Sequence, residues 1–146
     1  MPISFRIVPE HAVIVVQYRG VAGLAETHAM IAECAAHPDF HPAYRHLVDL
    51  RDITDHERDL MGFFSLQASA IDFFPVISED GHRFQMVLVA PAGPPRAMAE
   101  MVRRSWDGLD LVRVVIQDAL EDALEVLGIG PEHREAVVTG LIREAD

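Results

Sequence analysis

The chain has 146 residues, with 23 acidic side chains against 12 arginines, no lysine, and a formal charge of −11. That balance argues against nucleic acid and anionic membranes as partners, because no basic patch is available to displace counterions. Half the residues are apolar and about a quarter are charged, which suits one compact domain with an ordinary core. The lone cysteine, Cys34, excludes an internal disulfide and fits a reducing compartment. The opening MPISFRIVPEH has polar groups where a signal peptide needs an apolar core. No apolar run approaches the roughly 20 residues a bilayer span needs. The expectation is a cytoplasmic protein with no transmembrane segment.

In chain order, Ile3 to Val8 reads as a short strand, Pro9-Glu10-His11 as a turn, and the β-branched AVIVVQYR (Ala12 to Arg19) as a second strand, giving a hairpin. Gly20 to Gly23 reads as a loop. Leu24 to Ala36 follows as a helix with Leu24, Ile31 and Ala35 on one face, stopped at His37-Pro38. His46 to Leu50 is a short buried strand. Asp55 to Phe74 is a helix ended by Pro75, and Arg83 to Ala90 a strand. Pro94 and Pro95 open a helix to Trp106, since proline is tolerated in a first helical turn. Leu111 to Ile116 is a strand and Ala119 to Leu127 a helix. A last helix starts after Gly130-Pro131 and ends near Glu144. The order β-β-α-β-α-β-α-β-α plus one helix predicts an α/β domain. Its five-stranded mixed sheet is mainly parallel, wound by right-handed crossovers, with helices mostly on one face.

The stretch HLVDLRDITDHERDL raises the question of chemistry, with Asp49, Asp52 and Asp55 three apart. Thr54-x-x-Glu57 has the form of a capping box, in which the threonine hydroxyl and the glutamate satisfy each other's backbone amides at a helix start. Asp55 and Glu57 would also favour the positive end of the helix dipole. Asp49 alternates with apolar Val48 and Leu50, so its carboxylate needs a partner. Arg113 or His46 on neighbouring strands would supply one. Acid–base catalysis would need two carboxylates in a pocket with separated pKa values, which this pattern does not specify.

At these residues a family resemblance enters. The strand and joint HLVDLRDIT, the preceding hairpin, the VLVAP strand followed by an arginine-bearing helix, and a terminal helix carrying Asp118, Ala123, Leu124, Leu127 and Gly128 resemble the STAS-like superfamily. These are the anti-sigma-factor-antagonist-like domains, and above all their short bacterial branch. The resemblance covers residues 3 to about 129 and leaves 130–146 as a helical extension packed on the same domain. It implies a regulatory module acting through protein contact. In the prototype antagonists a kinase phosphorylates a serine at the start of the helix after this strand. The matching positions here, Glu57-Arg58-Asp59-Leu60, carry no hydroxyl group, so the resemblance does not extend to that switch.

Other chemistry is poorly supported. His28, His37, His41 and His46 lie near one another, but no zinc-binding spacing occurs. Cys34 sits among alanines with no activating neighbour and reads as a small buried residue. There is no phosphate-binding glycine loop and no nucleophile elbow. No cofactor is expected, and no catalytic residue.

Strand alternation sorts side chains onto two faces. One face, with Ile14, Val16, Val48, Leu50, Met86, Leu88, Val114 and Ile116, is the expected core against the helices. The other, with Val13, Val15, Gln17, Leu47, Asp49, Val87, Val89, Arg113 and Val115, mixes polar and apolar groups and is expected to stay open. On the long helix, Leu60, Phe64, Ile71 and Phe74 read as the core stripe, while Leu66 and Phe73 point away from it. The partner or ligand surface is therefore expected at Asp49, Asp52, Thr54, Leu66, Phe73 and Arg113. The leading expectation is a non-catalytic interaction module that forms a homodimer or binds another protein. The alternative is a small-molecule or lipid carrier related to CRAL-TRIO-like binders. It rests on the pairs Phe63/Phe64 and Phe73/Phe74 and on Met61, Met86, Met98 and Met101. It requires an apolar cavity with an entrance.

Overall fold

The computed structural model describes residues 3–73, 84–106 and 112–138. Strand β1 (Ile3–Val8) and strand β2 (Val13–Ala22) form the hairpin, joined by a 3-10 turn over Pro9–His11. The turn closes at Ala12, whose φ of 55° is left-handed and whose amide donates to Pro9 O at 3.1 Å. Helix α1 (Leu24–Ala35), strand β3 (Arg45–His56), helix α2 (Leu60–Phe73), strand β4 (Phe84–Val89), helix α3 (Pro94–Trp106), strand β5 (Val112–Gln117) and helix α4 (Leu120–Val126) follow. A 3-10 turn at Pro131–His133 leads into helix α5 (Arg134–Val138). The strands lie in the order β1-β2-β3-β4-β5, antiparallel only between β1 and β2. This is the expected five-stranded, mainly parallel α/β sheet. Among the described residues no helix is long and apolar enough to cross a membrane.

The two central strands are longer than the sequence suggested. β2 runs past Arg19 to Ala22, and β3 runs past Leu50 to His56. They pair in parallel from Val13↔Arg45 to Ala22↔His56, with irregularities after Gln17 and after Gly20. The capping box at Thr54 therefore does not form. Thr54 is exposed inside β3, and α2 starts five residues after Asp55. The ladder supplies the backbone hydrogen bonds that the local cap would have supplied, and it buries Ile53 and His56 on the way. Glu57 caps a different helix. Its Oε1 accepts from the Leu24 amide at the start of α1, at 3.2 Å, where a negative charge meets the positive helix end.

Side-chain alternation places α1, α2 and α3 on one face of the sheet. There Ile14, Val16, Tyr18, Val48, Leu50 and Leu88 pack against Cys34, Phe63, Met98 and Ala99. The opposite face is covered too, which corrects the expectation of an open surface. Val13, Val15, Leu47, Val87 and Val89 are buried under Ala123, Leu124, Leu127, Ile129 and Val137. A Schellman turn directs the chain there. Gly128 takes φ 72° after α4, its amide donates to Glu125 O at 2.9 Å, and the Ile129 amide donates to Leu124 O at 3.0 Å. The Arg45 guanidinium then ties this end to the hairpin by donating to Leu127 O and to His11 O. The last part of the expected C-terminal helix, 139–146, lies outside the described residues.

Two left-handed positions give opposite expectations. Gly128→Ala puts a Cβ where the turn needs positive φ and lowers stability by about 1 kcal/mol. Ala12→Gly relieves the same strain and raises stability by roughly 0.5 kcal/mol, net of the entropy glycine adds to the unfolded chain. Urea unfolding of the two variants checks the signs.

Candidate functional site

Asp49 sits in the middle of β3 on the α4 side and is fully buried. Its partner is Arg51, two residues on along the same strand face. Arg51 Nε donates to Oδ1 and Nη2 to Oδ2, each at 2.9 Å, and the Arg51 amide adds a third bond to Oδ1 at 3.0 Å. The expected partners Arg113 and His46 are therefore corrected. His46 lines the cavity on the other face of the sheet, and Arg113 is exposed on β5, two strands away. A partner at i+2 shares the face without spanning neighbouring strands. The bond to Asp49 pushes the Arg51 guanidinium above its ordinary range, so it stays charged. Both carboxylate oxygens are committed to this fork, which makes Asp49 a structural anchor.

The other expected site residues do not converge on it. Asp52 is half-buried on β3 in register with Arg19 of β2, and Thr54 is exposed farther along the strand. Leu66 belongs to the opposite layer. It is half-buried among Ile31, Trp106 and Val112, which corrects the outward direction assigned to it. Phe73 is the last described residue of α2, and its side chain, like those of Ile71 and Phe74, lies outside what the structure describes.

The helix register differs from the expected stripe. Phe63 is buried and Phe64 is exposed. With apolar residues on nearly every side of LMGFFSLQASAIDF, periodicity does not choose one face.

That register turns α2 into one wall of a cavity of about 100 Å³ between the sheet and α1, α2 and α3. The floor includes Ile14, Val48 and Leu88, and the walls include Phe63, Leu66 and Trp106. None of the described lining residues is an acid or an arginine. Leu24, Leu66 and Gln67 are half-buried, so the lining reaches the surface beside α2.

A few polar groups break the apolar lining. Thr27 donates its hydroxyl proton to Gly23 O at 2.8 Å. The Tyr18 hydroxyl, 3.0 Å away, must then donate to Thr27 Oγ1, and it keeps acceptor lone pairs of its own. Burial pushes Tyr18 up to about 12, so it remains a neutral phenol. Gln67 bridges α2 to α3 by donating to Ser105 O. Burial pushes the Cys34 thiol up to about 11, with Glu33 adding to the effect, which leaves it protonated and unreactive. His46, aligned with Ile14 and Met86 on this face, is pushed down to about 4 by burial and is neutral at physiological pH. The carrier alternative anticipated an apolar cavity and three of its lining residues, Phe63, Met86 and Met98; the cavity's polar members were missed because they come from five elements. The one available signal was polar residues at core positions, notably His46, Tyr18 and Thr27.

No family model matches the sequence, and no curated protein matches it. Solved structures do. A Thermotoga maritima structure assigned as an anti-sigma factor antagonist superposes with a TM-score of 0.52 at 13% identity, over 86% of this chain and 93% of that one. The anti-sigma factor antagonist SpoIIAA in its unphosphorylated form gives 0.47 at 10% identity, over 95% and 99%.

Two outcomes test these assignments. Asp49→Asn leaves Arg51 without its carboxylate and is expected to cost about 2–3 kcal/mol, discounted because Arg51 is partly exposed. The pair Asp49→Leu with Arg51→Leu costs much less, and urea midpoints of the three proteins distinguish them. His46 gives a pH signature. Unfolded, it titrates near 6.5; folded, near 4. Between those values the unfolded chain binds more protons, so stability falls as pH drops from 6.5 to 4 and then levels off. The loss is about 3 kcal/mol at 1.36 kcal/mol per pH unit. Urea unfolding across that window should show this component in the native chain and not in His46→Gln.

The element order, the sheet order and the structural match agree: this chain has the STAS-like fold of the anti-sigma factor antagonists.

Proposed function

We propose that this chain is a non-catalytic regulatory or protein-interaction module, working as a homodimer or on another protein. The observation that carries the reading is a set of large apolar side chains exposed where β2 ends and α2 begins. Val21 is 61% exposed, Met61 74% and Phe64 39%. Val21 is the penultimate residue of β2, and Met61 and Phe64 lie in the first turns of α2. Ala22 pairs with His56, and a Cβ at Gly62 would run into the Leu24 side chain. Apolar side chains held in water mark a contact surface. The Thermotoga protein with the same fold is assigned as an anti-sigma factor antagonist, which supports a regulatory reading. Residues 3–129 form the module in this reading, and 130–146 are its extension. Contact is not gated by phosphate at the start of α2, since 57–60 offer no hydroxyl group.

Light scattering after gel filtration tests this reading. The native chain is expected to associate, and Met61→Glu with Phe64→Glu is expected to be monomeric at unchanged melting temperature. A native chain that stays monomeric and binds no protein, with the double variant indistinguishable from it, sinks the idea.

A second reading, carriage of a small molecule, is favoured by the cavity. Phe63, Met86 and Met98, three of the residues on which that alternative was based, line it. Met61 and Phe64 do not, because they face water.

A further inference from the structure

We infer that the cavity between the sheet and α1–α3 takes a small uncharged ligand, a single aromatic ring or a short branched chain, and excludes molecules with an ionised head group. The inference rests on the carrier reading and narrows it from lipids in general to one chemical class.

Size is the first argument. A space of about 100 Å³ is on the scale of the engineered apolar cavity of roughly 150 Å³ that stays dry and binds benzene. A long acyl chain does not fit within it. Charge is the second argument. No acid or arginine stands among the described lining residues, so a carboxylate or phosphate inside would lie unpaired in apolar surroundings, which is prohibitively unfavourable. Direction is the third. The hydroxyl of Tyr18 already donates to Thr27, so what it offers a ligand is an acceptor. A hydroxyl or N–H on an otherwise apolar ring suits it; a second acceptor does not.

The molecule carries its own reporters. Met30, Met86 and Met98 line the cavity, whereas Met61 is exposed on the outer side of α2. The single tryptophan, Trp106, is also in the lining. The experiment is methyl-carbon NMR of methionine-labelled full chain titrated with toluene, phenol, decanoate and lysophosphatidylcholine, with Trp106 fluorescence read in parallel. Toluene and phenol are expected to shift the Met30, Met86 and Met98 methyls saturably, leave Met61 in place and change Trp106 emission. Decanoate and the lysophospholipid are expected to leave the three inner methyls unmoved. Cys34→Leu, which adds volume to the wall, is expected to weaken toluene binding at least tenfold. The titration of the native chain stands whether or not that variant folds. If decanoate or the lysophospholipid moves the inner methyls and toluene does not, the carrier reading survives and this inference fails. If none of the four moves them, or all shifts centre on Met61, both fail.

Discussion

The parallel ladder between β2 and β3 is the constraint from which the rest of the structure follows. It runs from Val13↔Arg45 to Ala22↔His56, and both strands are flanked by other strands, so it is central. Its length decides where α2 can begin. Once Thr54 and Asp55 are taken into β3, the helix cannot start before the chain leaves the sheet, and Glu57 becomes free to cap α1. A local signal worth about 1 kcal/mol loses to a ladder that buries Ile53 and His56 and pairs several further backbone groups. The same ladder fixes which β3 side chains face which layer. His46, Val48 and Leu50 go towards α1–α3, while Leu47, Asp49 and Arg51 go towards α4.

The two faces solve different problems. The α4–α5 face rests on few described elements, with α4 spanning seven residues. Its burial depends on the turn at Gly128 and on Arg45, whose guanidinium holds a carbonyl from each side of the chain crossing, Leu127 and His11. Among the described residues the acid it buries, Asp49, is paired within its own strand. The α1–α3 face carries the larger core, and it contains the cavity. Natural cores pack to crystal density, so a space lined by Ile14, Phe63, Leu88 and Trp106 is a departure from that rule. Departures of that kind persist where something else depends on them.

Much of this was legible in the chain. β-branched runs separated by helical periods gave the strand order, Pro94 and Pro95 marked the start of α3, and alternation sorted the two sheet faces correctly. The misreadings share a cause. The ends of β2 and β3 lie in GVAG and RDITDH, where composition favours loop and cap, and only the partner strand makes them extended. The open second face was an error of topology, because α4 reads the same whichever side of the sheet it packs on. The need of Asp49 for a partner is legible from its apolar neighbours, but strand alternation alone does not choose between Arg51 on the same strand and cations on neighbouring ones. The α2 register was not legible at all, since a helix apolar all round has no preferred face until its neighbours choose one.

That last ambiguity bears on function. A helix with apolar groups on every side can bury one face and still present another to water. α2 does this: Phe63, Leu66 and Gln67 look into the cavity, while Met61 and Phe64 stand outside. The proposed contact surface and the proposed ligand site are therefore two sides of one helix. Its start is set by the exit of β3, and Gly62 lies against Leu24 of α1. A molecule filling the inner side would press on Phe63 and Leu66, and any shift of α2 that followed would carry Met61 and Phe64 with it. Coupling between two such sites needs no separate pathway, only a helix with two packing arrangements that each occupant favours differently. The cavity under α2 is where a second arrangement has room to exist.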